Sequence, residues 1–244
     1  MTDYLYDGTF EGLLTCIHFH YYNGKASGIY VRNEYQPSML QPYLEVETDT
    51  NKADIVYEAI TKKISSYDLR RIYRVFKSDD AEKEKKILDY VRLGFRLGGK
   101  ISMMHGNPAV FEIQRIDKKV GNEVHRLKGL IRFSELDGGV LYSSIEPDHD
   151  IVEFLAHHFC DRYKNEPFII HDIKRSKALV AYGGDWYVTH FTKEKVSGIS
   201  ADEQKYRDLW KQYFEDIAIK ERINPRCQKN LMPARYWKHL TEMQ

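Results

Sequence analysis

The stretch EVHRLKGLIRFSELDGGVLYSSIEPDHDIVEFLAHHF, residues 123–159, together with FIIHD, residues 168–172, decides the fold of this chain. Short apolar runs alternate in it with turn residues and with histidine, aspartate, glutamate and arginine. The pattern indicates a helix end, a hairpin, a helix and a further strand, in that order. Elements that only build a core rarely carry so many titratable groups beside them. We therefore expect any functional site to lie in this stretch.

Hydrophobic periodicity extends these elements along the whole chain. From residue 130 onward it predicts a hairpin over residues 130–145, a helix over 151–163, strands over 168–173, 177–182 and 186–191, and a helix from 200 to about 219. Before residue 130 it predicts strands over residues 4–6 and 43–47 and helices over 10–22, 50–64, 67–76, 82–98 and 107–128. We therefore expect an α+β protein, with a mostly helical N-terminal part and an antiparallel sheet with flanking helices in the C-terminal part. The predicted domains are residues 1–100 and 101–244.

Several single residues sharpen these expectations. Thr9 is suited to cap the first helix. Capping boxes are predicted for the pairs Asp79 with Glu82 and Ser200 with Glu203, and a simpler cap for Asp150 with Glu153. Gly121 interrupts a helix at a cost near ~1 kcal/mol relative to alanine, which suggests a close neighbour there. The helix that follows residue 200 should have one apolar face, formed by Tyr206, Leu209, Trp210, Tyr213, Phe214 and Ile217.

Composition limits the classes of function. The chain has 244 residues, of which 42% are hydrophobic and 30% charged, so it is expected to be globular. Its formal net charge of +1 gives no global field that would attract nucleic acid, so any such contact needs a local basic patch. No apolar run approaches the ~20 residues of a membrane-spanning helix, and the N-terminus lacks the pattern of a signal peptide. We expect a cytoplasmic protein with no membrane partner.

The candidate catalytic residues are those histidines and acids of the deciding stretch that lie at the ends of predicted elements. They are His125, Glu146, His149, His171 and Asp172. Glu146 and His149 belong to the loop EPDHD, whose residue types suit acid–base chemistry or metal binding, although the loop could equally serve as a helix cap. His171 and Asp172 interrupt an apolar strand, so at least one of them needs a buried partner. We assign no metal and no cofactor.

The candidate nucleic-acid-binding residues fall in two segments. Arg126, Lys128 and Arg132 lie where a helix passes into a strand, which suits contact with an anion. The tail combines Arg226, Lys229 and Arg235 with Tyr236 and Trp237, a mixture that can track a phosphate backbone and stack on bases. Tyr236 and Trp237 could instead pack against the rest of the protein and dock the tail on it. The many arginines of residues 67–100 are nearly balanced by acids, which favours a solvated helical surface over an anion site.

Several long motifs resemble one bacterial family. They are YDGTFEGLL, YVRLGFRLG, EVHRLKGLIRFSEL, GVLYSSIEPDHDI, HHFCDRYKNEPFIIHDIKR, LWKQYFEDIAIKERINPRCQ and MPARYWKHLTE. The family consists of proteins of unknown function linked to DNA metabolism or repair and encoded beside a radical-SAM protein. Some members are fused to a uracil-DNA glycosylase-like domain; we do not expect one in this chain, so the resemblance does not imply glycosylase activity. The resemblance implies a DNA-repair context and a radical-SAM partner, but no catalytic residues.

Three functions follow as hypotheses. The first is an accessory protein of DNA repair that binds DNA and works with a radical-SAM protein. The second is a hydrolase or nuclease that uses the five candidate catalytic residues, and the third is a protein-interaction scaffold. Convergence of the five side chains in one pocket would favour the enzyme, whereas a basic and aromatic surface would favour the binder. Cys16, Cys160 and Cys227 are too far apart in sequence for the closely spaced cysteine motif of an iron–sulfur centre, so we expect the radical chemistry to belong to the partner.

Overall fold

The computed structural model describes residues 2–192, 198, 200 and 202–243. Contacts between residues divide the chain into two compact units, Met1–Gly121 and Asn122–Gln244, which we name unit 1 and unit 2. The boundary between them falls inside one long helix. The predicted division into residues 1–100 and 101–244 stays a prediction.

Unit 1 is mostly helical, as predicted. Its strands are β1 (Thr2–Tyr6), β2 (Ala26–Val31) and β3 (Tyr43–Glu45), and its helices are α1 (Phe10–Tyr22), α2 (Thr50–Lys63), α3 (Ser66–Phe76), α4 (Lys83–Leu97) and α5 (Pro108–Leu130), the last of which continues into unit 2. Two short 3-10 turns cover Arg32–Glu34 and Gly98–Met103. The buried apolar positions of α5 recur at intervals of three, four or seven residues, all of which return to one face of a helix, at Val110, Ile113, Ile116, Val120 and Leu127. The helices follow from this periodicity.

A three-stranded sheet in unit 1 was not predicted as a sheet. Its order is β2-β1-β3, and β1 pairs in parallel with both neighbours. The strand β2 went unrecognised because it contains Gly28, and glycine weakens the strand signal. Parallel pairing of β1 with β2 requires a crossover connection, which α1 supplies.

Of three detailed predictions for the helices of unit 1, one is confirmed and two are wrong. Thr9 caps α1, since its hydroxyl accepts the N–H of Gly12 at 3.0 Å. The predicted capping box of Asp79 with Glu82 is wrong, because the side chain of Asp80 accepts the N–H of Glu82 instead. The predicted close neighbour of Gly121 is also wrong: beyond the backbone of its own helix, a Cβ at this position would meet no atom of the described residues within 4 Å.

Unit 2 is built on a five-stranded sheet. Its strands are β4 (Ser134–Glu135), β5 (Leu141–Ile145), β6 (Phe168–Asp172), β7 (Lys177–Tyr182) and β8 (Asp185–His190), and its helices are α6 (Val152–Arg162), α7 (Glu203–Asp216) and α8 (Pro225–Leu231). Short 3-10 turns cover Lys220–Arg222, Ala234–His239 and Thr241–Met243. The tight turn between β4 and β5 uses Gly138 and Gly139 at φ values of 94° and 77°, which glycine adopts without strain.

The sheet of unit 2 is mixed, whereas an antiparallel sheet was predicted. The strand order is β4-β5-β6-β7-β8, and β5 and β6 pair in parallel, while the other three pairs are antiparallel. The difference arises because α6 acts as a crossover between β5 and β6 and returns the chain in the same direction. The α+β class is confirmed, with a helical N-terminal part and a mixed sheet with flanking helices in the C-terminal part.

The two caps predicted in unit 2 involve side chains that have other partners. The carboxylate of Asp150, just before α6, pairs with Lys177 at 2.6 Å, and its role as a cap stays a prediction. Glu203 does not complete a box with Ser200: its carboxylate accepts the N–H of Glu135 at 3.0 Å. Among the described residues, every helix is too short or too polar to cross a membrane.

Candidate functional site

Parallel pairing brings the polar ends of β5 and β6 to the same edge of the sheet. Ile145 lies opposite Asp172 in the register, so the chain leaves both strands at the same level. The loop Glu146–Asp150, which we name the pinned loop, therefore lies beside the turn that follows β6. Arg175 in that turn donates to the carbonyl oxygens of Pro147 and Asp148. The same arginine forms an ion pair with Asp172 at 3.0 Å.

Glu123 holds the pinned loop from the side of α5. Its carboxylate accepts the N–H groups of Asp148 and His149 at 2.8 and 2.9 Å. It also accepts the hydroxyl of Tyr236 at 2.6 Å and an N–H of Arg235 at 3.3 Å. Glu123 is buried, and a buried carboxylate needs such partners to offset its lost hydration. The sequence did not indicate the role of Glu123: its position within residues 123–159 was the only feature that pointed to it.

The tail closes the cluster around the pinned loop. Arg235 pairs with Asp148 at 2.7 Å, and Lys238 pairs with Glu146 at 2.7 Å. Tyr236 is buried, and burial followed by its hydrogen bond to Glu123 raises the pKa of its hydroxyl. Trp237 is half-buried and donates to the carbonyl oxygen of Met232 at 2.8 Å. These contacts correspond to the alternative in which the end of the tail docks on the protein.

His171 and Asp172 are both buried and both have partners, as a buried polar pair requires. The Nδ1 atom of His171 lies 2.9 Å from the hydroxyl of Tyr142, and its ring packs against Phe191. Burial lowers the pKa of His171, so its ring is neutral at pH 7. Burial also raises the pKa of Asp172, although Arg175 acts in the opposite direction.

The five candidate catalytic residues are placed differently from one another. Glu146 and His149 lie in the pinned loop, and His171 and Asp172 lie inside the sheet. His125 is exposed on α5. Within the described part of unit 2, none of the five lines the cavity of about 760 Å³ or the cavity of about 10 Å³. Their catalytic role stays a prediction.

The larger of these cavities is an open cleft of about 760 Å³, which we name the α7 cleft. One side consists of the end of α5 and the segment that follows, the other of α7, and the end of α6 contributes to its wall. The cationic residues that line it are Lys128, Arg132, Arg162 and Arg207, and the aromatic residues are Phe133, Phe159, Tyr163, Tyr206, Trp210 and Tyr213. This combination of positive charge and aromatic rings is the main feature of the cleft.

The four cations of the α7 cleft fall into two pairs. Arg207 binds Glu203 at 3.0 Å, and Arg132 binds Glu242 at 2.7 Å. Both of these arginines therefore help to fix the walls of the cleft. Lys128 and Arg162, by contrast, have no carboxylate partner among the described residues. Their positive charge is available to an anionic ligand.

Three aromatic residues of the apolar face predicted for α7 are exposed. Tyr206 and Tyr213 are 63% and 55% exposed, and Trp210 is 39% exposed. Only the start of the helix is buried, at Glu203. The indole of Trp210 is held in place because it donates to Glu242 at 2.9 Å. Helical periodicity indicates an apolar face, but it does not decide whether that face packs on the core or stays exposed.

A second group of polar residues was not foreseen. The hydroxyl of Ser144 lies 3.2 Å from Nδ1 of His239, and Nε2 of the same ring lies 3.5 Å from Glu146. Burial lowers the pKa of His239, which keeps the ring neutral and able to accept a proton. The adjoining cavity has a volume of about 10 Å³, so it has no room for a substrate. Neither Ser144 nor His239 lies in a recognisable catalytic motif.

The remaining candidate nucleic-acid-binding residues lie at the surface. Arg226 and Lys229 are exposed on α8, and Arg126 is exposed on α5. No other described residue forms an ion pair with these three. The basic segment of the tail is thus divided: α8 presents unpaired cations, whereas Arg235 is engaged by Glu123 and Asp148.

The α7 cleft and the pinned loop lie in the part of the chain that matches a known protein family. Among the described residues, no group of three or more histidine, cysteine, aspartate or glutamate side chains could hold a metal ion. The family model of DUF4130, a domain of unknown function, matches residues 81–242. That match includes the α7 cleft, the pinned loop and most of the tail. A comparison with curated proteins gives no match.

Proposed function

The chain belongs to the DUF4130 family, and on that premise we propose that it is an accessory protein of DNA metabolism or repair that binds single-stranded nucleic acid in the α7 cleft. The observation that carries the proposal is the row of exposed aromatic rings on α7 beside Lys128 and Arg162. Proteins that bind single strands combine a positive groove with aromatic platforms on which bases stack. The cleft has both parts.

The geometry of α7 suits stacking. Tyr206, Trp210 and Tyr213 are spaced by four and three residues, so they lie on one face of the helix. The rings of Trp210 and Tyr213 are 5.8 Å apart, between their centres. The cation of Arg132 lies over the ring of Trp210, at 5.4 Å from its centre. The contact with Arg132 and the hydrogen bond to Glu242 fix one platform, while both tyrosines remain open to a ligand.

A binding experiment tests the proposal. Fluorescence anisotropy with a labelled oligothymidylate should show that Tyr206→Ala weakens binding by fivefold or more, because each stacked base contributes about 1–3 kcal/mol. Tyr187→Ala is the matched control, since Tyr187 is 60% exposed in the same unit but lies outside the cleft. Equal losses for both variants, or no binding by the unmodified protein at low salt, would refute the proposal.

Charge is tested separately from stacking. Lys128→Ala and Arg162→Ala should each reduce the dependence of affinity on salt, because each phosphate contact releases counterions and contributes a log–log slope of about −0.7 on a single strand. The control is Arg70→Ala, which removes an exposed arginine of unit 1. A slope that is the same in all three variants would contradict the assignment of the phosphate contacts to the cleft.

The proposal includes a partner. The family resemblance supports cooperation with a separate radical-SAM protein, which would perform the radical step while this chain binds or presents the nucleic acid. Co-expression of the two proteins should give co-purification, and each should alter the DNA binding of the other. Absence of association together with absence of any mutual effect would end this part of the proposal, and a bound iron–sulfur cluster in this chain alone would contradict the division of labour.

A second candidate function is hydrolysis of a nucleic acid or nucleotide ester, favoured by the contact of Ser144 with His239. In such a reaction the Ser144 hydroxyl would attack the ester and lose its proton to Nδ1 of His239, and the alcohol would leave with that proton. Water would then release Ser144 through the same proton transfers, while Glu146 stabilises the imidazolium from the side of Nε2. The tail would have to move to admit a substrate to the small cavity. A fluorophosphonate probe should label the unmodified protein but neither Ser144→Ala nor His239→Ala. No labelling of the unmodified protein would exclude this candidate.

A further inference from the structure

Unit 1 contains a cavity that the proposed function does not use. It has a volume of about 550 Å³, within the usual range of sites for small ligands. Residues from the last turn of α1, the turn that follows it, one face of α4 and the start of α5 line it. We name it the α1–α4 cleft.

The cleft has an excess of positive charge. Lys25, Arg92 and Arg96 line it, and Asp89 is the one acid among its lining residues. Arg92 and Arg96 are four residues apart and therefore extend from the same face of α4. Asp89 lies 3.4 Å from Arg92 in an exposed ion pair, which is a weak interaction. Lys25 and Arg96 have no ion-pair partner among the described residues.

A buried histidine supplies the cleft with an uncharged hydrogen-bond donor beside these cations. His20 is 6% exposed, and its Nδ1 atom accepts the N–H of Ala26 at 3.0 Å. The proton of the neutral ring must then be on Nε2, and within the described part of the chain no acceptor is bonded to it. Burial lowers the pKa of His20, and the nearby charges of Arg92 and Lys25 act in the same direction. The ring therefore stays neutral and retains one unused donor beside the cations.

An aromatic ring completes the cleft. Tyr21 is 47% exposed and packs against Phe95, with 5.7 Å between ring centres. Arg92 and Arg96 both lie near enough to its hydroxyl to act on its pKa, although burial dominates and raises that pKa. One face of a flat ligand could thus stack on Tyr21 while a charged group of the same ligand reaches the two arginines.

We infer that the α1–α4 cleft is a binding site for a nucleoside monophosphate or a closely similar phosphorylated aromatic molecule. Lys25, Arg92 and Arg96 bind the phosphate, His20 donates one hydrogen bond, and Tyr21 stacks on the base. Arginine is suited to this role because its planar group donates two parallel hydrogen bonds to a phosphate. This site is independent of the α7 cleft, and neither inference rests on the other.

Calorimetric titration of the full chain with AMP and TMP at low salt tests the inference. Both should bind, inorganic phosphate should bind more weakly, and adenosine should bind weakest. Arg92→Gln and Arg96→Gln should each weaken AMP binding about tenfold or more, as expected when a charge-assisted hydrogen bond is removed. Asp89→Asn should strengthen it, because the competing carboxylate of the cleft is removed.

Two controls separate this site from general charge and from the α7 cleft. Arg70→Gln, which removes an exposed arginine outside both clefts, and Tyr206→Ala should leave AMP binding unchanged. The inference is overturned if neither nucleotide binds, if adenosine binds as tightly as AMP, or if Arg70→Gln weakens binding as much as Arg96→Gln. It is also overturned if an oligothymidylate binds through Arg92 and Arg96 but AMP does not, since the phosphate would then belong to a nucleic-acid backbone.

Discussion

The hydroxyl of Tyr236 donates a hydrogen bond of 2.6 Å to the carboxylate of Glu123, although 113 residues separate the two in sequence. This bond joins the tail to the C-terminal half of α5, in unit 2. The same carboxylate holds the backbone of Asp148 and His149, so one buried acid fixes three segments of unit 2. Of the five candidate catalytic residues, His149 is therefore held directly by this structural anchor, through its backbone N–H.

Removal of this anchor should destabilise unit 2. Glu123→Ala leaves the Tyr236 hydroxyl and two backbone N–H groups without their acceptor and removes one of the two carboxylates that pair with Arg235, and we expect a loss of about 3–5 kcal/mol in the free energy of unfolding. All three tryptophans of the chain, Trp186, Trp210 and Trp237, lie in unit 2, so tryptophan fluorescence during urea unfolding reports this unit. The exposed Glu166→Ala is the control, and a loss below about 0.5 kcal/mol for Glu123→Ala would contradict the role.

The basic tail should show two separate effects. Arg226→Ala and Lys229→Ala should flatten the salt dependence of binding to an oligothymidylate, by about 0.7 in log–log slope for each phosphate that is no longer neutralised, with little effect on stability. Arg235→Ala should instead lower the urea midpoint of unit 2, because Glu123 and Asp148 lose their ion-pair partner. The same slope for Arg226→Ala, Lys229→Ala and the unmodified protein would place α8 outside the binding surface.

Because of Asp68, the free energy of unfolding of unit 1 should decrease at acidic pH. Burial tends to raise its pKa, but hydrogen bonds from Ser65, Ser102 and Tyr90 and the charge of Arg71 outweigh burial and lower that pKa below its usual value. A lowered pKa means that its stabilising contribution is complete above about pH 4 and is lost as pH falls through the folded-state value. Asp68→Asn should therefore cost about 3 kcal/mol at pH 7, and the difference should shrink in acid. Far-ultraviolet circular dichroism during urea unfolding measures the free energies of unfolding of Asp68→Asn and of the unmodified protein at each pH.

The exposed Asp54→Asn serves as the control for Asp68, because Asp54 makes no such contacts within the described part of the chain. Tryptophan fluorescence should show that unit 2 is unaffected by either variant. A difference between Asp68→Asn and the unmodified protein that stays constant from neutral to strongly acidic pH would contradict the expected linkage.

Two helical glycines of unit 1 should respond in opposite directions to alanine. Gly121→Ala should raise the free energy of unfolding by about 0.5–1 kcal/mol, because nothing lies within 4 Å of the added methyl group. Gly94→Ala should lower it, because the methyl group would meet the side chain of Ile64 well inside van der Waals distance. Urea unfolding followed by circular dichroism compares the two variants, and stabilisation by Gly94→Ala would show that Ile64 adjusts at no cost.

Local sequence signals predicted the helices of this protein well. The span of α1 and its cap at Thr9 follow from the position of Thr9 before an apolar periodic run, and both are confirmed. The hairpin at Gly138 and Gly139 follows from the need for positive φ in a tight turn. These features depend on neighbouring residues, and for that reason one sequence is enough to predict them.

The site was predicted only in part. The sequence indicated the stretch, and the structure places Glu146, His149, His171 and Asp172 within hydrogen-bonded clusters of that stretch. It did not indicate Glu123, Ser144 or His239, because their partners are distant in sequence and no motif connects them. The mixed sheet was missed for a related reason: whether β6 lies parallel or antiparallel to β5 depends on where α6 packs.

By itself the sequence determined the periodicity of the helices, the turns and the absence of a closely spaced cysteine motif, since each depends on residues a few positions apart. Only the tertiary structure decided which apolar and charged faces are covered. The aromatic face of α7 is open while Tyr236 is buried, and Arg235 is paired while Arg226 has no ion-pair partner among the described residues. The physical reason is that burial and ion pairing depend on which surfaces meet after folding, and residues of the same type in the same tail can then have opposite environments.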